Sequence, residues 1–104
     1  MARFVCVGTR ADFEASGTGK LVEVEGRRIA VFSVGGGYYA IDDVCPHRGG
    51  PLSEGPLSGD EVTCPWHASR FNVKTGAVTA PPAQQGVKTF PVRVTDDDVG
   101  IGIE

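Results

Sequence analysis

Apolar and polar residues alternate along this chain in short runs, each closed by glycine, proline or aspartate. A period of two marks a strand with one buried face. Phe4-Val5-Cys6-Val7 is a short β-type run. Ala11-Asp12-Phe13-Glu14 reads as one helical turn before a glycine-rich break at Gly17 and Gly19. Leu21-Val22-Glu23-Val24 alternates, Glu25-Gly26 makes a hairpin turn, and Ile29 to Val34 is the returning strand. A second turn at Gly35-Gly36-Gly37 leads into a strand over Tyr38 to Ile41. Residues 45–60 hold three of the seven prolines and four glycines and read as loop. Glu61-Val62-Thr63 and Arg70 to Val73 are short strands, the second turning at Lys74-Thr75-Gly76. After the loop Ala80-Pro81-Pro82-Ala83, the run Val87 to Val94 alternates cleanly, and Asp96-Asp97-Asp98 turns into a last strand, Val99 to Ile103. No segment keeps a helical period, and there is no internal repeat or low-complexity tail. The pattern predicts an all-β fold in one domain, 1–104. It would be a small antiparallel sandwich or partly open barrel with one loop-rich insertion over about residues 43–85.

Composition supports that reading, since 15 glycines and 7 prolines in 104 residues suit a turn-rich β protein. A net charge of −3 argues against nucleic-acid binding, which needs a basic face. No polybasic run points to an anionic membrane, and no apolar stretch reaches the length of a bilayer span. The opening Met-Ala-Arg-Phe-Val-Cys-Val-Gly-Thr-Arg has no signal-peptide core and no twin arginine. The expected compartment is therefore the cytoplasm, where cysteines serve as metal ligands or reactive groups more often than as disulfides. Three cysteines are also an awkward number for a disulfide framework.

Two of those cysteines and both histidines fall in two short motifs, Cys45-Pro46-His47 and Cys64-Pro65-Trp66-His67. Each motif offers one thiolate and one imidazole from a proline-containing loop reached from a strand. Two sites accept this ligand set. A tetrahedral zinc site uses the same four groups, but more often pairs two cysteines in one knuckle and then two histidines. A mixed-ligand [2Fe–2S] cluster fits the arrangement as it stands: one iron takes both thiolates, the other both imidazoles, and two sulfides bridge them. The prolines stiffen the loops. Gly49 and Gly50 let the backbone come close, so that N–H groups can point at the sulfurs.

The residues around the ligands narrow the choice. Cys45-Pro46-His47-Arg48-Gly49-Gly50-Pro51-Leu52 and Cys64-Pro65-Trp66-His67-Ala68-Ser69-Arg70-Phe71 resemble the Rieske signature. Ala80-Pro81-Pro82-Ala83 resembles the proline loop with which that family covers the cluster from a third side. The resemblance implies a Rieske-like antiparallel β-sandwich with a loop-rich cluster-binding subdomain. It implies a [2Fe–2S] cluster on Cys45, His47, Cys64 and His67, surrounded by Gly49, Gly50, Trp66, Ser69, Pro81 and Pro82. The chain length suits a stand-alone Rieske ferredoxin of a multicomponent ring-hydroxylating oxygenase. Such a ferredoxin is an electron carrier and not itself an enzyme. It takes electrons from an FAD-containing, NADH-dependent ferredoxin reductase and passes them to a terminal oxygenase, docking transiently with each, and a monomer is expected for a shuttle. The alternatives are a small subunit held in a larger reductase, such as a nitrite reductase-like complex, and a structural zinc module.

Departures from other branches of the family carry information. Rieske proteins of cytochrome bc complexes have an extra disulfide between the cluster loops; the matching positions here are Gly50 and Trp66, so that bridge is absent. Those proteins also hydrogen-bond the cluster through a serine and a tyrosine. Ser69 matches the serine, while Phe71 occupies the tyrosine position. With one donor fewer, the resemblance implies a potential towards the lower part of the Rieske range, which runs from roughly −150 to +300 mV.

Other residues have competing readings. Cys6, in an alternating strand, is expected to be a buried small hydrophobe. Trp66 either packs over the cluster or shapes a docking surface, and packing is the favoured role. Ser69 either donates to a sulfide or satisfies a turn. Arg48 either steers an acidic partner or is a solvated charge. Asp42 and Asp43 either orient the first loop through hydrogen bonds or place negative charge near the docking face. The formal charges of two ferric ions, two sulfides and two thiolates sum to zero. The added electron is therefore easier to accept than in a four-thiolate cluster. Each ligand imidazole keeps an N–H whose pKa the metal lowers. The potential is therefore expected to fall as pH rises through the alkaline range, and a potential flat to strongly alkaline pH would contradict histidine ligation.

Overall fold

Eleven short strands, all paired antiparallel, follow the period-two runs of the sequence. They are β1 (Arg3–Thr9), β2 (Lys20–Val24), β3 (Arg27–Val34), β4 (Gly37–Asp42), β5 (Leu57–Ser58), β6 (Glu61–Thr63), β7 (Arg70–Asn72), β8 (Val78–Ala80), β9 (Thr89–Phe90), β10 (Val92–Thr95) and β11 (Asp98–Ile103). This computed structural model describes residues 3–13, 19–45, 49–66, 68–81, 83 and 85–103. Two single 3₁₀ turns, Arg10–Phe13 and Leu52–Glu54, are the helical elements among them. No helix among the described residues is long and apolar enough to cross a membrane.

The strands form three sheets, ordered β1-β11-β10, β2-β3-β4-β9 and β5-β6-β7-β8. The sheet containing β3 and β4 is the common wall. Ile29, Val31, Tyr38 and Ala40 point from it into a core shared with Val99, Ile101 and Ile103 of β11. The alternate residues Ala30, Phe32 and Ile41 point into a second core with Val62 and Phe71 of the β5–β8 sheet and Val73 just after β7. A strand covered on both faces loses the polar half of its alternation. That is why Ile29-Ala30-Val31-Phe32 is an unbroken apolar run, buried at every position.

The predicted strand over Val87 to Val94 is divided in the structure. β9 pairs with β4, matching Phe90 to Ala40, whereas β10 pairs with β11, matching Val92 to Ile101. Pro91 stands between them, has no N–H for either ladder, and accepts the Gly102 N–H at 2.8 Å. The proline is thus the corner at which the chain changes sheets. The predicted loop over 45–60 also contains more structure than its composition suggests: the turn Leu52–Glu54 and the strand β5. β8 likewise emerges just before the proline loop. Strands of two or three residues are too short to leave a periodic trace.

Cys6 is exposed, not buried. The inward side chains of β1 are Val5 and Val7, which pack against the first core. Because all four residues of that run are apolar, the sequence does not say which alternate pair faces in. A bulge between Cys6 and Gly8, where the pairing with β11 shifts by one, adds to the ambiguity.

Candidate metal centre

Cys45 and Cys64 come together in the second core. Each is 1% exposed, and both pack in the cluster formed by Ile41, Leu52, Val62, Phe71 and Ala83. Neither is in a disulfide. Cys45 follows β4 and Cys64 follows β6, so each thiol leaves the end of a strand anchored in that core.

The two cysteines begin loops of the same backbone design. The Cys45 N–H donates to the Gly50 carbonyl at 3.0 Å, and the Gly49 N–H donates back to the Cys45 carbonyl at 2.7 Å. In the second loop the Cys64 N–H donates to Ser69 O at 2.7 Å, and the Ala68 N–H donates to Cys64 O at 3.0 Å. The bonds span the same offsets from each cysteine, and the fourth residue after each has positive φ, 78° at Gly49 and 64° at Ala68. A proline follows each cysteine directly. The loops differ in where they carry histidine: two residues after Cys45 and three after Cys64. His47 and His67 themselves, with Pro46, Arg48 and Pro82, lie outside the described residues.

Ala68 is a functional-loop feature that the composition of its own segment hides, since alanine seldom adopts positive φ. Its signal is the other loop, where a glycine holds the equivalent place. Gly50 closes the gap between the loops. It is buried, and a Cβ on it would lie 2.7 Å from Cys64 Sγ and 3.1 Å from Trp66 Cγ. The first loop therefore touches the second at its thiol. Positions 50 and 66, which the Rieske resemblance pairs as a disulfide in other branches, are neighbours here with a glycine and a tryptophan in place of two cysteines.

Ser69 is fully buried, and its Oγ accepts the Ala83 N–H at 3.0 Å. That bond ties the second cysteine loop to the proline loop. Accepting there leaves the hydroxyl proton to donate elsewhere, and no acceptor for it occurs among the described residues. Phe71, at the tyrosine position of the resemblance, is buried in the core and offers no donor. Pro81 is exposed on the outer side of the loop whose inner residue is Ala83. Trp66 is 58% exposed and Val44, beside Cys45, is 41% exposed. The packing role favoured for Trp66 thus covers only part of the indole; the rest forms surface at the loop.

Of the two aspartates before Cys45, Asp43 takes the loop-orienting role. The Asp43 carboxylate is buried, and its Oδ1 accepts the Ser53 N–H at 2.7 Å. Its main chain adds two bonds, donating to Arg28 O at 3.0 Å and accepting from Leu52 N at 2.7 Å. Asp43 therefore orients the first loop by joining its two ends and fastening both to β3. Arg28, whose guanidinium stands 4.0 Å from Asp43 Oδ2, had no signal in the sequence. Asp42 lies near Arg27 and Lys88. Burial pushes its carboxyl above the ordinary value; Arg27 pulls it back, Asp43 raises it further, and Lys88 lowers it.

These residues fit a bridging iron–sulfur group. Two buried thiols sit in one apolar core, each on a loop closed by its own main-chain hydrogen bonds, and the buried Ser69 hydroxyl has a proton to give. A match to the Rieske [2Fe–2S] domain spans residues 3–91. The chain belongs to the Rieske [2Fe–2S] family, and the cofactor of that family is a [2Fe–2S] cluster. Within it, the chain is 40% identical over 82 residues to the ferredoxin component of the naphthalene 1,2-dioxygenase system of Pseudomonas aeruginosa, covering 79% of each chain. It superposes on the ferredoxin of Sphingomonas yanoikuyae B1 with a TM-score of 0.91 at 30% identity, covering 98% of this chain and 100% of that one. It also matches a chain in the complex of reduced oxygenase and oxidised ferredoxin in carbazole 1,9a-dioxygenase, with a TM-score of 0.87 at 35% identity, covering 94% and 91%. These are electron-transfer components and not catalytic ones, which sets aside the reading as a zinc module.

Two expectations follow from this geometry. Gly50→Ala drives a methyl group into Cys64 Sγ and is expected to lower cluster content severalfold on purification, at a stability cost of about 1–3 kcal/mol. Gly100→Ala, whose Cβ would approach nothing nearer than 3.6 Å, is the control and should keep its cluster. Iron and sulfide analysis with denaturant unfolding reads both. For Asp42, a raised folded pKa means that the folded protein binds the proton more tightly than the unfolded chain does. Its stabilising contribution is present below the ordinary carboxylate pKa and is lost as pH rises through the raised value. Asp42→Asn should therefore raise the melting temperature at neutral pH, and the gain should shrink as the solution is acidified towards pH 3.

Proposed function

We propose that this chain carries single electrons on a [2Fe–2S] cluster held by Cys45, His47, Cys64 and His67, between an FAD-containing, NADH-dependent ferredoxin reductase and a terminal ring-hydroxylating oxygenase. The observation that carries the reading is the pair of twin loops that bring Cys45 and Cys64 into one buried core. The cluster, when bound, supplies the one-electron redox chemistry. The chain's own residues hold and insulate it. Leu52, Val62 and Phe71 keep water from the thiol side. Ser69 has a hydroxyl proton to donate, and its bond to Ala83 holds the proline loop closed over the site. No side chain is required to act as acid, base or nucleophile.

The exposed faces of Val44 and Trp66 beside the two cysteine loops support transient docking at this end of the molecule. Redox encounters use small interfaces, so that each partner leaves after transfer. The relatives are named as components of dioxygenase systems, and one similar chain was captured with its oxygenase. By the same reasoning we assign residues 1–104 to one cluster-binding unit, working as a cytoplasmic monomer. A further outcome tests the assignment. Under argon, NADH with a catalytic amount of a Rieske-ferredoxin reductase should bleach the visible absorbance of the protein. A stoichiometric amount of oxidised terminal oxygenase should then restore it. A protein that dithionite bleaches but that neither component of any ring-hydroxylating system addresses would contradict the proposed partners.

A further inference from the structure

Asp43 is 1% exposed, yet only half of its carboxylate is satisfied. Oδ1 accepts the Ser53 N–H, while Oδ2 has no hydrogen-bond partner among the described residues. The cation facing Oδ2 is the Arg28 guanidinium, at 4.0 Å and 52% exposed. A carboxylate has about four lone-pair sites, and burying it with most of them unfilled is unfavourable. Orienting the loop does not require that. An asparagine carbonyl would accept the Ser53 N–H equally well, and the other two bonds at this position are main-chain bonds. The negative charge itself is therefore the feature left to explain.

Its location suggests what it does. Asp43 is two residues from Cys45, and it bonds through its carbonyl to Leu52, which packs in the same core as Cys45 and Cys64. We propose that the Asp43 carboxylate is a fixed negative charge that holds down the reduction potential of the bound cluster, with Arg28 as its partial counterweight. The proposal rests on the assignment of Cys45 and Cys64 as ligands. Reduction adds one negative charge to the site, and a second negative charge nearby opposes it. The opposition is strong where apolar side chains exclude water and weakens where solvent screens it. Arg28, half in solvent, offsets only part of the effect.

The test is an anaerobic redox titration of the cluster-loaded protein against dyes, with EPR spectra of each reduced form. Asp43→Asn keeps the shape and the Ser53 bond and removes the charge. It should shift the equilibrium towards the reduced cluster by roughly three- to tenfold, with unchanged g values; tenfold corresponds to 59 mV for one electron. Arg28→Gln removes an exposed side chain from β3 and should shift the equilibrium the other way. Should Asp43→Asn fail to load its cluster, the direction of the Arg28→Gln shift decides: downward supports the proposal, and upward or unchanged overturns it. Both variants titrating with the wild type while the EPR signal stays intact also overturns it. A wild-type protein without a Rieske EPR signal instead removes the ligand assignment on which the proposal stands.

Discussion

Two thiols nineteen positions apart in sequence must meet in a space that excludes water, and the rest of the structure is arranged around that requirement. The two cysteine loops approach closely enough to leave no room for a side chain at Gly50, where a Cβ would press on Cys64 Sγ. Each thiol is held by a loop whose own N–H and carbonyl groups close it onto itself. Behind them stands the β2-β3-β4-β9 sheet, buried on one face by the β11 strand and on the other by the β5-β6-β7-β8 sheet. That double burial makes the wall rigid, because close-packed interiors yield little to small forces. A redox centre benefits from such rigidity, since geometry that barely moves on reduction keeps the cost of each electron transfer low.

Charge is distributed with a similar economy. The core that holds Cys45 and Cys64 is apolar, and the buried polar side chains among the described residues are Ser53, Ser69 and the carboxylate of Asp43. Among the described residues, the large exposed hydrophobics at the loops are Val44 and Trp66. Small size and a net charge of −3 suit a molecule that must meet partners, exchange an electron and separate. Electron carriers need no cleft for a substrate. One described groove runs along strand edges, between Val5–Val7 and Lys20–Glu25.

Much of this was legible in the residues because the signals were local. The two Cys-Pro motifs display the candidate ligands directly, and the strand-like runs give most strands within a residue or two. What escaped was non-local. Val87 to Val94 alternates without interruption, yet Pro91 sends its two halves to different sheets, a choice made by pairing partners distant in sequence. Cys6 lies in a run apolar at every position, so its exposure was decided by the partner strand β11. Asp42 and Asp43 are chemically the same side chain, and only the position of the Ser53 N–H tells which of them fastens the loop. Ala68 hid its left-handed backbone behind an ordinary residue type, although comparison with Gly49 at the same offset exposes it.

The most direct measurement of the central claim is low-temperature EPR of the anaerobically purified, dithionite-reduced protein, supported by iron and sulfide analysis. Ligation by two thiolates and two imidazoles predicts a red-brown protein with a rhombic signal whose average g lies clearly below that of a four-cysteine [2Fe–2S] cluster. It also predicts two irons and two sulfides per chain. A colourless, EPR-silent protein with stoichiometric zinc, or a reduced signal with the average g of an all-cysteine cluster, would contradict it.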